Sequence, residues 1–374
     1  MAVLVAGLVA ACLTLLVGRD HRTSPPLLPG QETPAPLPPV LPAPTPPTEG
    51  THVATAPAPA GLDFSHSEMT VLAGGMGQKG ATDGTGTEAR FYSPKGMATD
   101  GSSLFVCDPG NHSIRKVDLG SGEVSTLAGE LGSKGFQDGS GEEARFAFPS
   151  NLARIGGLLY VTDSGNHAIR TVDIQTGETR TLAGRSGRAG KVDGDFSAAS
   201  FYWPDGIAVW RQGLVLVDGN NHCIRYLDLQ AQTTRTLAGV PGRSGNADGS
   251  PSQFRNPVGI SVDGDNAYIA DYNNAAIRRL DLRTGNVDSL QVAGLLHPAN
   301  TLVVGQQLVL TDYGGNCIYC GSVLGGNMTR ISASGENGEN TNEPFNGPTG
   351  MLFLGHTLFL TDQRNHVIRR FEFQ

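Results

Sequence analysis

Four histidines, His112, His167, His222 and His366, each directly follow an asparagine in nearly the same phrase. Imidazoles in that number invite a metal-ligand reading. Each, however, stands in its own copy of a repeat, and a residue present in several copies serves a need common to them. The expectation is therefore a turn role, with Asp, Asn and His side chains bonding nearby backbone groups. The same control applies to Asp83, Asp138, Asp193 and Asp248, each nine residues after a glycine and just before another. Calcium takes about six to eight oxygen ligands. One carboxylate per loop is too few, and Asp-Gly is ordinary turn chemistry. Cys317 and Cys320 are the one close pair among five cysteines. In a strand that spacing puts them on opposite faces, which disfavours zinc or redox work. No catalytic residue, metal site or cofactor is expected.

The repeat that carries these residues dominates the chain. Asp108, Asp163, Asp218, Asp271, Asp312 and Asp362 occupy one equivalent position, spaced 55, 55, 53, 41 and 50 residues apart. Such a period suits one propeller blade per copy. In each unit a strand such as Gly206–Val209 leads through a tight turn to a second strand, Leu214–Asp218. The Asn-His turn opens a third, Cys223–Leu229, and a fourth ends at Leu237-Ala238-Gly239. Short apolar or alternating runs bounded by Gly, Asn and Asp are strand signals. The last unit stops before its fourth strand, yet an orphan copy, Val71-Leu72-Ala73-Gly74, precedes the first unit. Residues 69–74 are therefore expected to supply the outer strand of the last blade, protecting edges that an open array would expose. The fold expected is all-β, a six-bladed β-propeller closed by that N-terminal strand.

The phrases Asp108-Pro-Gly-Asn-His-Ser-Ile-Arg115, Asp163-Ser-Gly-Asn-His-Ala-Ile-Arg170, Asp218-Gly-Asn-Asn-His-Cys-Ile-Arg225 and Asp362-Gln-Arg-Asn-His-Val-Ile-Arg369 resemble the NHL repeat family over roughly residues 69–374. The resemblance implies a propeller used mostly for recognition, in sensor ectodomains, cell-surface proteins and RNA-binding regulators. A minority of the family are enzymes, notably lyases that hold metal in the propeller. Fold does not decide among these.

Within the repeat, Arg115, Arg170, Arg225, Arg278 and Arg369 are expected to pair with acids between blades. Phe91, Phe146, Phe201, Phe254 and Phe345, each opening a Phe-x-x-Pro phrase, are expected to form inter-blade core. Specialisation should show where the repeat breaks. The residues between that Phe and Pro, and just after the Pro, vary from copy to copy. Tyr92, Lys95, Phe148, Tyr202, Trp203, Asp205 and Arg255 are accordingly expected to ring one mouth of the central channel. Mixed aromatic and charged groups around a concavity suit a protein, peptide or glycan ligand. The inner-strand phrases, such as Gly206-Ile-Ala-Val209 and Gly259-Ile-Ser-Val262, carry no His, Cys, Glu or Lys, so they offer no acid–base pair for an enzyme.

The net charge of −8 and the lack of any Lys/Arg run argue against nucleic acid as partner. Three regions are expected: a hydrophobic signal or anchor segment at 1–23, a proline-rich linker at 24–60 and the propeller at 61–374. Ala2–Gly18 carries no charge and as a helix would reach roughly 25 Å, slightly short of a bilayer core. Arg19 and Arg22 follow it, and for an uncleaved anchor that asymmetry favours keeping the next domain inside. Val9-Ala10-Ala11-Cys12 resembles a bacterial lipobox, with Cys12 as the lipidated residue. Secretion, lipidation, retention as an anchor and a wrongly chosen start codon all stay open; the localisation expected is extracytoplasmic, secreted or anchored at the cell envelope. The linker holds 13 of the 23 prolines and suits an extended spacer.

Overall fold

The computed structural model describes residues 62–184, 187–331 and 344–373. Segments 1–23 and 24–60, with the expectations placed on them, lie outside the described residues. Among the described residues there is no α-helix, and no helix is long and apolar enough to cross a membrane.

Six antiparallel sheets follow one another along the chain, each of four or five strands. Blade three illustrates the plan. Its inner strand Pro204–Trp210 pairs with Gly213–Asp218, that strand with Cys223–Asp228, and that one with Thr233–Ala238. The second strand is apolar at successive positions because both of its faces are covered. Leu214 and Leu216 pack towards blade two, while Val215 and Val217 pack towards blade four. A continuous apolar run is what a strand buried on both sides requires. Blades one and three add a short fifth strand from the long preceding loop, Gly84–Thr85 and Gly194–Asp195.

Blade six takes its outer strand from the start of the repeat region, as the orphan Val-Leu-Ala-Gly phrase required. Glu68–Ala73 pairs antiparallel with Val367–Glu372, placing Val71 opposite Arg369 and Ala73 opposite Ile368. The register matches blade three, where Ile224 faces Ala238. The glycine ending each such phrase is also explained. Gly129 has φ +93°, and a Cβ there would stand 2.7 Å from the carbonyl oxygen of His112. Only glycine fits so close an approach at positive φ.

The core is divided into six clusters, each between neighbouring blades, and one of them joins blade six to blade one through Phe359 and Ile368 against Phe91 and Met97. The five repeated phenylalanines are all buried in these clusters, as expected. Each such ring buries apolar area worth about 1.5–3 kcal/mol.

The repeated arginines correct the expectation of pairing between blades, because each pairs within its own blade. Arg225 Nη1 lies 2.9 Å from Asp218 Oδ2, and its Nη2 lies 2.5 Å from Asp193 Oδ1. Arg115, Arg170 and Arg278 repeat this with Asp108 and Asp83, Asp163 and Asp138, and Asp271 and Asp248. The loop aspartates weighed for calcium are thus arginine partners, and each also accepts from the outer strand, as Asp193 does from Thr236 N and Oγ1. Each guanidinium also lies over the repeated phenylalanine, 5.4 Å from the Phe201 centroid in blade three. Blade five lacks the arginine. There Asp312 takes three backbone donors instead, from Leu296, His297 and Gly315.

The histidines reach further than a turn role requires. Each sits in the left-handed region, and in blades one to three it ends a 3-10 turn, as His167 does at φ 58°. Its Nδ1 accepts from a backbone N–H of the next blade: Phe148 N to His112, Trp203 N to His167, Asn256 N to His222 and Ser93 N to His366, at 3.1–3.3 Å. Blade five uses Asn316 Oδ1 for the same job, accepting from Gly347 N at 2.8 Å. A second set of latches lies nearer the axis. Thr162, Thr311 and Thr361 hydroxyls donate to the carbonyls of Asp205, Thr349 and Lys95 in the following blade.

Both the closing strand and the histidine struts are open to test. Removing residues 62–75 strips blade six of its outer strand, so the truncated protein should melt at least several degrees below the parent, and equal melting would contradict the pairing. The struts should respond to pH. Burial pulls the His167 imidazole below its ordinary value, so the folded protein holds it neutral as an acceptor. The unfolded chain takes up that proton near pH 6.5. The contribution is therefore full above about pH 6.5 and is lost as pH falls below it. His167→Asn, which copies blade five, should fold and should gain stability relative to the parent between pH 7.5 and 5.5. His167→Ala should cost about 1 kcal/mol at neutral pH. Parallel melting-temperature profiles for the parent and His167→Asn would refute the strut.

Candidate functional site

The variable residues of the Phe-x-x-Pro phrases are pinned by their backbones, which leaves their side chains free. The residue after the phenylalanine donates its N–H to the blade's repeated aspartate, as Tyr92 does to Asp108 at 2.7 Å and Tyr202 to Asp218 at 2.8 Å. The next residue donates to the previous blade's histidine and sits at positive φ, 52° for Phe148 and 55° for Trp203. Bulky residues rarely adopt that conformation, which costs on the order of 1–3 kcal/mol and persists only when surrounding bonds impose it.

The outcome is a set of large rings on one face. Tyr92, Phe148, Tyr202 and Trp203 are 36–42% exposed. Phe148 meets Trp203 with centroids 6.1 Å apart and stands edge-on to His112 at 4.7 Å. Tyr202 is edge-on to His167 and Tyr92 to His366. The strut histidines therefore also buttress these rings. Lys79 and Lys134 ammonium groups lie over Tyr92 and Phe148, 4.9 and 5.2 Å from the centroids. Arg255 is exposed in the equivalent loop of blade four.

Lys95 and Asp205 are placed differently from the expectation. They form an ion pair at 2.7 Å that joins blade one to blade three. Asp205 is 4% exposed, so it holds Lys95 and is not free to meet a ligand. The pair ties together the loops that open two inner strands.

Sequence reasoning missed the other half of this face. Tyr272, His297 and Tyr313 form a second ring group in blades four and five, with Tyr272 4.7 Å from His297 and 6.4 Å from Tyr313. Arg364 of blade six lies 4.4 Å over Tyr313, and its Nε donates to Tyr313 Oη at 2.9 Å. Leu296 beside them is 54% exposed. The signal was present: in blades four and five a tyrosine follows the repeated aspartate where other blades have Pro, Ser, Gly or Gln.

Below the rim, the inner strands converge on an axial channel of about 230 Å³, lined from all six blades by residues including Met97, Asn151, Ile207, Ile260, Asn300 and Met351. None of its lining residues is titratable. Among the described residues, no group of three or more His, Cys, Asp and Glu is placed to hold a metal ion. Cys317 and Cys320 fall in different inter-blade cores, on opposite faces of blade five, and burial raises both thiols, Cys320 to about 11.

No family model matches the chain. Among curated proteins it is similar to NHL repeat-containing protein 2 of Homo sapiens, 28% identical over 324 residues, covering 62% of this chain and 44% of that protein. It is also similar to protein SUPPRESSOR OF QUENCHING 1, chloroplastic, of Arabidopsis thaliana, 27% identical over 305 residues, covering 61% of this chain and 29% of that protein. The chain thus spans less than half the length of either relative. Among solved structures it resembles a structural genomics protein of unknown function from Bacteroides thetaiotaomicron, with a TM-score of 0.60 and 14% identity over 82% of this chain and 76% of that one. A streptogramin B lyase structure matches with a TM-score of 0.54 and 12% identity over 82% of this chain and 98% of that one. At such identities these two likenesses are of fold alone. Six in-register Asp-centred repeats, the propeller they build and the relatives named for the same repeat agree: the chain is an NHL-repeat β-propeller.

Proposed function

We propose that the protein is a recognition propeller without chemistry of its own, binding a protein, peptide or glycan on the aromatic rim. The observation that carries this reading is the set of four half-exposed rings, Tyr92, Phe148, Tyr202 and Trp203, held by backbone bonds from repeated residues. Aromatic and arginine side chains dominate recognition energy, at about 2 kcal/mol or more per hot spot. Rings fixed before binding lose little entropy when a partner arrives. The alternative is an enzyme, a metal-dependent lyase or a hydrolase working at the channel mouth. It would need an acid–base pair or converging ligands there. The channel lining supplies alkyl, amide and hydroxyl groups, which favours binding. The relatives' own activities belong to proteins more than twice as long as the stretch they share with this chain.

The uncharged N-terminal stretch and the proline-rich segment after it support a placement at the cell envelope, with residues 24–60 as a spacer. A membrane fraction that retains the full chain and loses one lacking residues 1–23 would support this.

The rim itself is tested by Tyr202→Ala/Trp203→Ala. The double variant should melt within a few degrees of the parent and fail to retain the envelope protein or glycan that the parent retains on a column. Retention of the same partner by both proteins would refute the rim as the working surface. A tightly bound, stoichiometric metal in purified protein would favour the enzyme reading.

A further inference from the structure

The rim is basic in an acidic protein. The whole chain carries a net charge of −8, yet the side chains set around the rings are cations. Lys79 and Lys134 stand over Tyr92 and Phe148, and Arg364 stands over Tyr313. Arg255 is close enough to His222, and Lys134 to His112, to help lower those imidazoles, after burial. Among the described residues, none of Lys79, Lys134, Arg255 and Arg364 forms an ion pair with a carboxylate. The nearby acids are already used. Asp205 is taken by Lys95, Glu130 by Arg145, and the repeated and loop aspartates of blades one to four by the buried arginines.

We propose that this rim binds an acidic peptide segment of a partner protein, its carboxylates meeting Lys79, Lys134, Arg255 and Arg364 and its apolar residues resting on Trp203 and Tyr202. The inference rests on the rim being the working surface and adds the chemistry of what it takes. The charge is complementary, and unpaired surface cations steer an anionic partner from a distance. A peptide is favoured over a nucleic acid because bases stack flat on successive open ring faces, and only Tyr202 and Trp203 of the half-exposed rings lack a cation over them. Here a cation already covers a face of Tyr92, Phe148 and Tyr313. Each of those rings thus carries a positive charge beside it, which a flexible chain of carboxylates and side chains can meet.

The probe is a short fluorescein-labelled peptide of alternating glutamate and tyrosine, titrated by anisotropy against the full chain. Matched peptides of glutamine and tyrosine, of lysine and tyrosine, and a single-stranded oligonucleotide serve as comparisons. The glutamate peptide should bind at least about tenfold more tightly than either comparison peptide, and raised salt should weaken it. Lys79→Gln/Lys134→Gln/Arg255→Gln/Arg364→Gln changes only exposed or ring-stacked side chains, so it should keep the parent's melting temperature and lose binding by about tenfold or more. Equal binding of the glutamine peptide, no binding of the glutamate peptide, or unchanged binding by the charge variant would overturn the inference. So would an oligonucleotide that binds more tightly and displaces the peptide. Tyr202→Ala/Trp203→Ala keeps the two readings apart. If that variant loses the envelope partner while the glutamate peptide never binds the parent, the rim stands and its acidic ligand falls.

Discussion

A buried carboxylate–guanidinium pair sets most of what this propeller can do. In blade three, Asp218 is fully buried, and one carboxylate oxygen accepts from Tyr202 N while the other accepts from Asn221 and Arg225. Burial pushes its carboxyl up to about 6, against the pull of those donors and of the guanidinium 2.9 Å away, which favour the ionised form. Taking two charges out of water is expensive, and only several good hydrogen bonds repay it. The aspartate meets that condition by fixing three things together: the second strand's end, the 3-10 turn and the loop that carries the rim. The arginine extends the network to the long loop through Asp193 and lies over Phe201, which belongs to the core against blade two. Removing Arg225 leaves Asp218 buried without a counter-charge, and removing Asp218 leaves the buried guanidinium with Asp193 as its one carboxylate.

The division of labour follows from that network. Repeated side chains point inward or across to the next blade, and their bonds end on the backbone of the variable residues. Those residues therefore inherit a fixed position without contributing to it. Phe148 and Trp203 tolerate positive φ because a histidine of the previous blade holds each N–H. Construction thus uses the backbone of these residues and leaves their side chains free, so a rim side chain can change without loosening a blade.

Much of this was legible in sequence. The aspartate period gave the number of blades, the orphan Val71–Gly74 phrase gave the pairing of blade six, and the Phe-x-x-Pro phrase gave the inter-blade core. The partners of the arginines were not legible, although Asp218 and Arg225 lie on adjacent strands of one hairpin with Leu216 opposite Arg225. The distance between blades decides whether an arginine turns inward or outward, and a one-dimensional pattern carries no such distance. The histidine's reach fails for the same reason, and so does the ion pair between Lys95 and Asp205, 110 residues apart. The second ring group was not legible from the Phe-x-x-Pro loops, because Tyr272 and Tyr313 stand at another variable position, just after the repeated aspartate.

The most direct test is a double-mutant cycle on Asp218 and Arg225 followed by chemical denaturation. Each single change to alanine should cost about 3–5 kcal/mol, because it takes the buried partner from a buried charge. The double change should cost little more than either single one, leaving a coupling energy of about 2 kcal/mol or more. Losses that simply add would show that the pair does not hold the blade, and the account of how the rim is positioned would fail with it.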